Sequence, residues 1–526
     1  MITKSSLELQ DIQGNIVKAY GRYGFPLARY VFYTVDDAVK GRNFVQKVAP
    51  LVTTSVPWAE NSPLEIPAVA VNIAFTYEGL WHLDVPEQTL SEFSDEFSMG
   101  MKARRDIIGD TGPNHYSRWD PIWTDPDHPH RQRVHILIGL NSKDQAQLEA
   151  MYQNICRIVK ESGGITQLKG HRGPNGADDL EYQSAVADEG DKEHFGYADG
   201  ISSPYFEGCG ESPRYIIGGG KPTGGAPSKP EGWAPLAAGE FILGQPDESG
   251  TYPEAPGPPL FSRNGTFMVY RKLHQNVATF RALMSEEGAR YPGGCEAFAA
   301  KLSGRWRNGA PLPLYPTKAG ADQFVSALAA AEVKARSASA TKQDKDEFEA
   351  LRLKLTAYDY TDDTQGAKCP FGAHTRRMNP RRSLEFGADK PFDTPGALAN
   401  RRRILRRGLP YGQVDDPARD TGDHGIVMMI LNADLSRQFE FVQQQWTNYG
   451  NDFRLANDQD PLLGNHGINE SGRGTGHMVM EGDGKTTTPY FCGRMPTLVE
   501  TRGGDYFFIP SMTCLRLIAM GIVDPT

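Results

Sequence analysis

His374 lies in a stretch whose residue types suit it to bind a metal cofactor. Small residues precede it in Cys369-Pro-Phe-Gly-Ala, and four arginines follow closely: Arg376, Arg377, Arg381 and Arg382. A neutral imidazole can ligate iron through one ring nitrogen and form a hydrogen bond with the other. Guanidinium groups bind carboxylates in a bidentate manner. The stretch therefore offers an axial ligand and cations for the two propionates of a haem, although a solvated surface loop could have the same residues.

Two other stretches place charged residues in unusual settings. Asp199 is framed by glycines in Gly196-Tyr-Ala-Asp-Gly200. That pattern suits either a tight turn or a carboxylate held where the backbone can approach a ligand closely. Five arginines fall within residues 401–407. Because the apolar Ile404 and Leu405 interrupt this run, some of its arginines must point inward or along the wall of a pocket.

Strands and helices alternate in the elements that position these stretches. Runs rich in β-branched and aromatic residues predict strands over residues 29–35, 133–140, 267–273 and 425–431, with one or two more over 68–83. Helical spacing is found at residues 36–51 and 87–101, from the cap at 141–144 to about 162, from about 276, and over 435–446. Strand-then-helix units recur in both halves, which predicts an α+β fold of two similar domains with helices packed on antiparallel sheets.

A segment dense in glycine and proline separates the two predicted domains. We expect residues 1–207 to form the N-terminal domain, with Asp199 near its end. Residues 208–260 are then a linker or covering loop, and residues 261–526 the C-terminal domain. A charged helical stretch at 329–355 is expected to be a solvated insertion in the second domain.

Composition limits the partners of this chain. It has 526 residues with a net charge of −9 and 39 % hydrophobic content. The acidic balance argues against a nucleic-acid partner, and the absence of a long apolar run argues against a membrane partner. The N-terminus lacks the apolar core of a secretory signal, so a cytoplasmic protein is expected, although a mature secreted form would look the same. The six cysteines contain no C-x-x-C pair and indicate neither a disulfide scaffold nor a zinc site.

Taken together, and in the order in which they occur along the chain, these motifs resemble those of the dye-decolorizing (DyP-type) haem peroxidases. The resemblance covers most of the chain, and it implies two ferredoxin-like domains with haem held mainly by the second. Besides the three stretches above, it rests on Asp11-Ile-Gln-Gly-Asn-Ile16, Asn379-Pro-Arg381, Arg406-Arg-Gly-Leu-Pro-Tyr-Gly412, Gln438-Phe-Glu-Phe-Val-Gln443 and Asp460-Pro-Leu-Leu-Gly464.

The resemblance implies a site for haem b. By position, His374 is the iron ligand, and Arg381 is a candidate partner for a propionate. Asp460 is favoured as the carboxylate bonded to the other nitrogen of His374, with Glu440 as the next candidate.

The same resemblance also implies which residues lie on the side of the haem where peroxide binds. Asp199 and Arg406 face the peroxide there, and Ile426 and Met428 match positions that line the distal pocket. Some relatives carry asparagine two residues after the distal arginine, where this chain has Gly408. Any role of that asparagine is therefore absent here.

The implied activity is the reduction of hydrogen peroxide through a ferryl intermediate. Asp199 would move a proton from one peroxide oxygen to the other. Arg406 would stabilise the negative charge that develops as the O–O bond breaks. A carboxylate in the position of the base implies activity at acid pH.

Bulky aromatic reductants such as anthraquinone dyes and phenols are too large for a closed pocket beside haem. Their oxidation would need electron transfer to the surface through tyrosine or tryptophan. Tyr411 matches a family position with that role, and Trp446 is a second candidate. Because Trp446 continues the apolar face of Leu435, Phe439 and Val442, core packing is favoured for it. For Tyr411, core packing and electron transfer are equally favoured.

Two other functions stay open. One is a haem protein of the same fold with a different reaction, such as oxygenation or the release of iron from haem. The other is a haem carrier without turnover. Asp199 and Arg406 argue against the carrier, which needs neither an acid–base group nor a cation on the open side. The natural reductant and the oligomeric state are not determined by the sequence.

Overall fold

The structure is a computed structural model that describes residues 7–58, 65–124, 133–187, 192–209, 216, 218–223, 232–384, 397–482 and 488–524. The strands in these residues are β1 (Leu27–Val35), β2 (Val69–Phe75), β3 (Ile136–Ser142), β4 (Ile165–Gln167), β5 (Gln183–Val186), β6 (Lys221–Thr223), β7 (Gly232–Ala234), β8 (Thr266–Gln275), β9 (Leu405–Arg406), β10 (Leu409–Tyr411), β11 (Gly425–Asn432), β12 (Gly476–Met480), β13 (Tyr490–Met495) and β14 (Val499–Ile509).

The α-helices are mostly short. They are α1 (Gly14–Val17), α2 (Ala38–Val48), α3 (Tyr77–His82), α4 (Glu87–Leu90), α5 (Asp95–Ala103), α6 (Arg105–Ile108), α7 (Gln145–Ser162), α8 (Pro259–Ser262), α9 (Val277–Arg290), α10 (Gly294–Ser303), α11 (Lys318–Ala335), α12 (Lys342–Leu353), α13 (His374–Met378), α14 (Ala397–Asn400) and α15 (Met512–Met520). Two π-helical segments, Leu435–Glu440 and Val442–Thr447, follow β11. None of the described helices is long and apolar enough to cross a lipid bilayer.

One antiparallel sheet runs through both halves of the chain in the order β10-β11-β8-β14-β2-β3-β1-β4. Strands β2-β3-β1-β4 form one ferredoxin-like unit, and β10-β11-β8-β14 repeat the same order in the second half. The two units join where Phe508 of β14 lies opposite Phe75 of β2. Strand β5, which also pairs with β1, approaches β10, so the sheet curls toward a barrel. The predicted α+β fold with antiparallel strands is confirmed.

The helices start where short polar side chains can cap them. Asp37 and Asp144 accept the backbone N–H of Lys40 and Gln147 at the starts of α2 and α7. Both helices bury an apolar stripe, which in α7 contains Leu148, Tyr152, Ile155 and Ile158. These two helices therefore close one face of the first unit.

Three predicted elements differ from those observed. Residues 68–83 form β2 and then α3, because Thr76 caps a helix by accepting the N–H of Gly79. Residues 87–101 fall into α4 and α5, with Ser94 capping the second. The charged stretch at 329–355 is helical as predicted, but its first helix begins at Lys318 and its second is α12.

The described part of segment 208–260 packs against the sheet. Phe241, Ile242 and Leu243 are fully buried in the main core. The carbonyl of Gly218 accepts a hydrogen bond from Arg403, 3.3 Å away. This segment therefore covers the second unit, while the domain boundaries at 207 and 260 stay a prediction.

Candidate functional site

A deep cavity lies beside the second ferredoxin-like unit and contains about 1800 Å³ of space, counted out to its open mouth. Side chains of β8 and β11, the loop after residue 192, helix α13 and the arginine run at 401–407 line it. These elements are far apart in the sequence. The tertiary fold therefore brings His374, Asp199, Arg406 and Arg381 to a single cavity, while their roles stay predictions.

His374 and Asp460 form the first of two hydrogen-bonded pairs of side chains at this cavity. The Nδ1 atom of His374 lies 3.0 Å from a carboxylate oxygen of Asp460. The other carboxylate oxygen accepts the backbone N–H groups of Leu462 and Leu463, both at 2.9 Å. Because Nδ1 is occupied in this way, the remaining ring nitrogen, Nε2, is the one available for a ligand.

Charge stabilises the ionised form of Asp460 in the interior. Burial by itself would raise the pKa of this fully buried carboxyl, but His374 and the Arg377 guanidinium outweigh the effect, and its pKa is lowered. Glu440, the alternative partner, is instead bonded to Arg104 and to the hydroxyl of Tyr506. The structure therefore pairs His374 with Asp460.

The loop that presents His374 is fixed from within. Asp363 accepts the backbone N–H groups of Lys368 and Cys369 and forms an ion pair with Arg376 at 3.0 Å. All four arginines of this stretch are at most 2 % exposed. The alternative interpretation as a solvated surface loop is therefore wrong.

The second pair on the cavity joins Arg406 to Asp199. A guanidinium nitrogen of Arg406 lies 3.1 Å from a carboxylate oxygen of Asp199, which also accepts the N–H of Gly200 at 2.5 Å. Gly196 and Gly200 have φ angles of 90° and 80°, a backbone region that glycine adopts without the cost of a Cβ. The glycine frame is therefore needed for the turn that presents the carboxylate. Both side chains stay partly exposed to the cavity.

Two buried arginines on the cavity have donors without acceptors. Among the described residues, neither Arg381 nor Arg403 has a carboxylate partner, and the Nε atom of each has no hydrogen-bond acceptor. Arg381 donates to the carbonyls of Thr356 and Tyr358. Burial, and then the charge of Arg381, lower the pKa of Arg403 to about 9. An anionic group in the cavity would relieve this uncompensated positive charge.

Comparisons with known proteins agree with this arrangement. The family model described as the DyP dimeric alpha+beta barrel domain matches residues 11–174. "Peroxidase 2" of Mycetinis scorodonius is 25 % identical over 97 % of this chain and 87 % of its own length. "Multifunctional dye peroxidase DyP2" of Amycolatopsis is 27 % identical over 97 % of this chain and 95 % of its own length.

Solved structures show the same fold. One dye-decolorizing peroxidase, in complex with 2,6-dimethoxyphenol, has a TM-score of 0.69 at 22 % identity and covers 98 % of this chain and 100 % of its own. An ancestral D-type enzyme has a TM-score of 0.69 at 24 % identity and covers 97 % of this chain and 99 % of its own. Over nearly its whole length this chain is therefore similar to DyP-type peroxidases, and residues 11–174 match the model of their barrel domain.

The residues at this cavity fit a haem. His374 offers one ring nitrogen, and the orphaned donors of Arg381 and Arg403 suit two propionates. Apolar side chains also line the cavity, and Ile426 and Met428 of β11 are among them. The other apolar side chains there include Ile430, Phe439, Leu462 and Val499.

The two candidates for electron transfer lie in the interior of this protein. Tyr411 is 2 % exposed, and its hydroxyl has no hydrogen-bond partner among the described residues. Trp446 is 1 % exposed, packs against Phe441 and Phe453, and donates to Asp452. Neither ring reaches the surface, which agrees with the core packing favoured for Trp446, and a role of either residue in electron transfer stays a prediction.

Sequence reasoning missed three cavity residues. Arg403 was anticipated only in general terms, as a member of an arginine run that had to point inward. Arg305 donates to the carbonyl of Gly309 and to Tyr358, and no motif distinguishes it. Glu193 is partly buried on the cavity wall, where loss of solvent contact raises the pKa of its carboxyl to about 7. It lies six residues before Asp199, and its carboxylate accepts the N–H groups of Phe195 and Tyr197.

Proposed function

We propose that this protein is a haem peroxidase with haem b as its cofactor, reducing hydrogen peroxide with electrons from bulky aromatic compounds such as anthraquinone dyes and phenols. The observation that carries the proposal is that one cavity has both a carboxylate-bonded histidine and a carboxylate–arginine pair. A haem carrier would need only the histidine with its bonded carboxylate.

The cofactor would be held by side chains that are otherwise uncompensated. The free nitrogen of His374 would ligate the iron, and Arg381 and Arg403 would bind the propionates. When bound, haem supplies an iron that coordinates peroxide and exchanges electrons. Asp460 increases the basicity of His374, because the carboxylate accepts the proton on Nδ1.

The open side of the cavity would handle the protons of the reaction. Asp199 would take the proton from one oxygen of peroxide and return it to the other, so that water can leave. Arg406 would stabilise the negative charge on the departing oxygen, since a guanidinium stays charged at any working pH. Its hydrogen bond to Asp199 also orients the carboxylate.

The proposed class of reductant rests on what similar proteins are named for and on what one of them binds. Several are named dye-decolorizing peroxidases, and one solved structure of this fold contains 2,6-dimethoxyphenol. We infer the same class of aromatic reductant for this chain. A haem protein with a different reaction remains the second candidate, favoured by the fact that neither Tyr411 nor Trp446 is exposed to bulky reductants.

The absorption spectrum tests the proposal. The purified protein, reconstituted with haem, should show a Soret band that changes after one equivalent of hydrogen peroxide and returns on addition of an anthraquinone dye. A band that peroxide leaves unchanged would exclude a peroxidase. A band that changes and returns with no loss of dye colour would favour the second candidate.

A further inference from the structure

Tyr506 is a buried tyrosine whose hydroxyl donates to a carboxylate. It lies in β14 and is 1 % exposed. Its hydroxyl is 2.9 Å from Oε1 of Glu440, which is also buried. Burial, and then the negative charge of Glu440, raise the pKa of Tyr506 well above its ordinary value. The phenol is therefore protonated at rest and has a base in direct contact.

One aromatic ring separates Tyr506 from the cavity. Phe439 lines the cavity, and its ring centroid is 6.0 Å from that of Tyr506 in an edge-to-face arrangement. Arg271, which also lines the cavity, lies 5.9 Å from the Phe439 ring. Tyr506 is therefore close enough to exchange an electron with a group in the cavity, although no ligand can touch it.

On its other side, the pair is connected to the surface. Glu440 forms a bidentate ion pair with Arg104, with distances of 2.8 and 2.5 Å. Arg104 also lies 3.6 Å from Glu96 and 3.8 Å from the sulfur of Met99, which is 50 % exposed. The Tyr506–Glu440 pair is thus linked, through the partly buried Arg104, to the exposed side chain of Met99.

In the described part of the chain, two other tyrosines near the cavity have no carboxylate that accepts a hydrogen bond from their hydroxyl group. Tyr411 has no hydrogen-bond partner for its hydroxyl among the described residues, and the ammonium of Lys272 lies 4.8 Å from its ring centroid. Tyr197 lines the cavity, but its hydroxyl donates to the carbonyl of Ala299, a very weak base. A one-electron-oxidised phenol is a strong acid, and a buried cation is costly. Oxidation is therefore favoured where the proton has an acceptor.

We propose that Tyr506 is a one-electron relay between the haem and reductants at the surface, with Glu440 as its proton acceptor; this inference rests on the proposed peroxidase function. Tyr506 gives one electron to haem that peroxide has oxidised, and its O–H bond breaks as the proton moves to Glu440. The products are a neutral tyrosyl radical and a neutral carboxylic acid. An aromatic reductant outside then supplies one electron, and the proton returns from Glu440.

Electron paramagnetic resonance of the haem-loaded protein tests the relay. Samples are frozen after one equivalent of hydrogen peroxide without reductant, and the Soret band is recorded in parallel. We expect a tyrosyl radical signal in the natural protein, loss of most of that signal in Tyr506→Phe, and retention in the matched control Tyr411→Phe. Both substitutions remove only a hydroxyl from a buried ring, so neither should alter the fold.

A second variant separates the tyrosine from its base. Glu440→Gln keeps Tyr506 but removes the proton acceptor, so the radical signal should also be lost while peroxide still changes the Soret band. A signal that persists in Tyr506→Phe, or a Soret change without any radical in the natural protein, would overturn the relay alone. A Soret band that does not respond to peroxide would overturn the proposed peroxidase function and the relay with it.

Discussion

The contact between His374 and Asp460 shows how single residues define this site. A histidine in a loop has several uses, but one whose Nδ1 is bonded to a buried carboxylate has its other nitrogen directed to a ligand. The lowered pKa of Asp460 shows that the carboxylate is stable as an anion in the interior. Three of our predictions belong to individual residues.

We expect Asp460→Asn to weaken haem binding by about tenfold, the lower end of the effect of losing such a partner. Asparagine can still accept a hydrogen bond, but it has no charge with which to increase the basicity of His374. A titration of the haem-free variant with haem measures the change. His374→Ala should bind haem more weakly still, and an unchanged Soret spectrum in that variant would refute the ligand assignment.

Arg406→Leu should slow the response of the Soret band to peroxide by about 100-fold or more, because one preorganised cationic donor is lost. The haem content should hardly change, since Arg406 pairs with Asp199 and not with His374 or the two buried arginines. Stopped-flow absorption measures the rate. The exposed Arg419, removed as Arg419→Leu, is the control, and a rate within a few-fold of the control would refute the assignment.

Asp505→Asn should become more stable relative to the natural protein as pH rises from 4 to 7. Burial raises the pKa of Asp505 to about 7, so the folded state holds a proton that the unfolded state releases above about pH 4. Stability is therefore lost as pH rises through this range, on the order of 4 kcal/mol.

Asparagine avoids that loss of stability at position 505. A single oxygen of Asp505 accepts both backbone N–H groups, those of Met101 and Tyr506, and the amide oxygen can do the same. Thermal unfolding at several pH values measures the difference. The exposed Asp106→Asn is the control, and a parallel pH dependence in both variants would contradict the prediction.

At the scale of elements, the motif at residues 11–16 attaches one edge of the fold to its centre. The amide of Gln13, fully buried, donates to the carbonyls of Ile73 and Pro510 and accepts the N–H of Ile73. Arg407 donates to the carbonyls of Asn15 and Ile16 in the same stretch. The motif therefore fixes the segment that carries Arg406 against β2 and the end of β14.

Gln13→Ala should destabilise the protein by about 3 kcal/mol, because several buried backbone groups lose their partners. Chemical denaturation measures the change, with the exposed Gln444→Ala as its control. A loss equal to that of the control would show that the motif is not structural.

At the scale of the whole molecule, the site depends on the union of two ferredoxin-like units. Asp199 follows the first unit in the chain, whereas Arg406 and His374 lie within the second. Since β14 joins β2 and β5 approaches β10, these segments are held on one body. The ion pair between Asp199 and Arg406 can thus form only when both units are folded together.

Much of the fold could be predicted from the sequence, because its signals are local. The runs of β-branched and aromatic residues in β1, β8 and β11 and the cap at Asp144 act over a few residues. The same holds for the glycines around Asp199, since a turn depends on the φ angles of its own residues. The strand-then-helix repeat of both units followed from such patterns, whereas strands β4, β10 and β14 were not predicted.

The sequence by itself thus indicated the strand-then-helix units, the histidine, the pair of Asp199 and Arg406, and the family resemblance. Only the tertiary structure decided which carboxylate binds His374, which arginines stay uncompensated in the cavity, and that Tyr411 and Trp446 are buried. The physical reason is that burial, ion pairing and hydrogen bonding between distant segments depend on the distances between side chains. Tyr506 and Glu440 are 66 residues apart, and no local pattern brings them together.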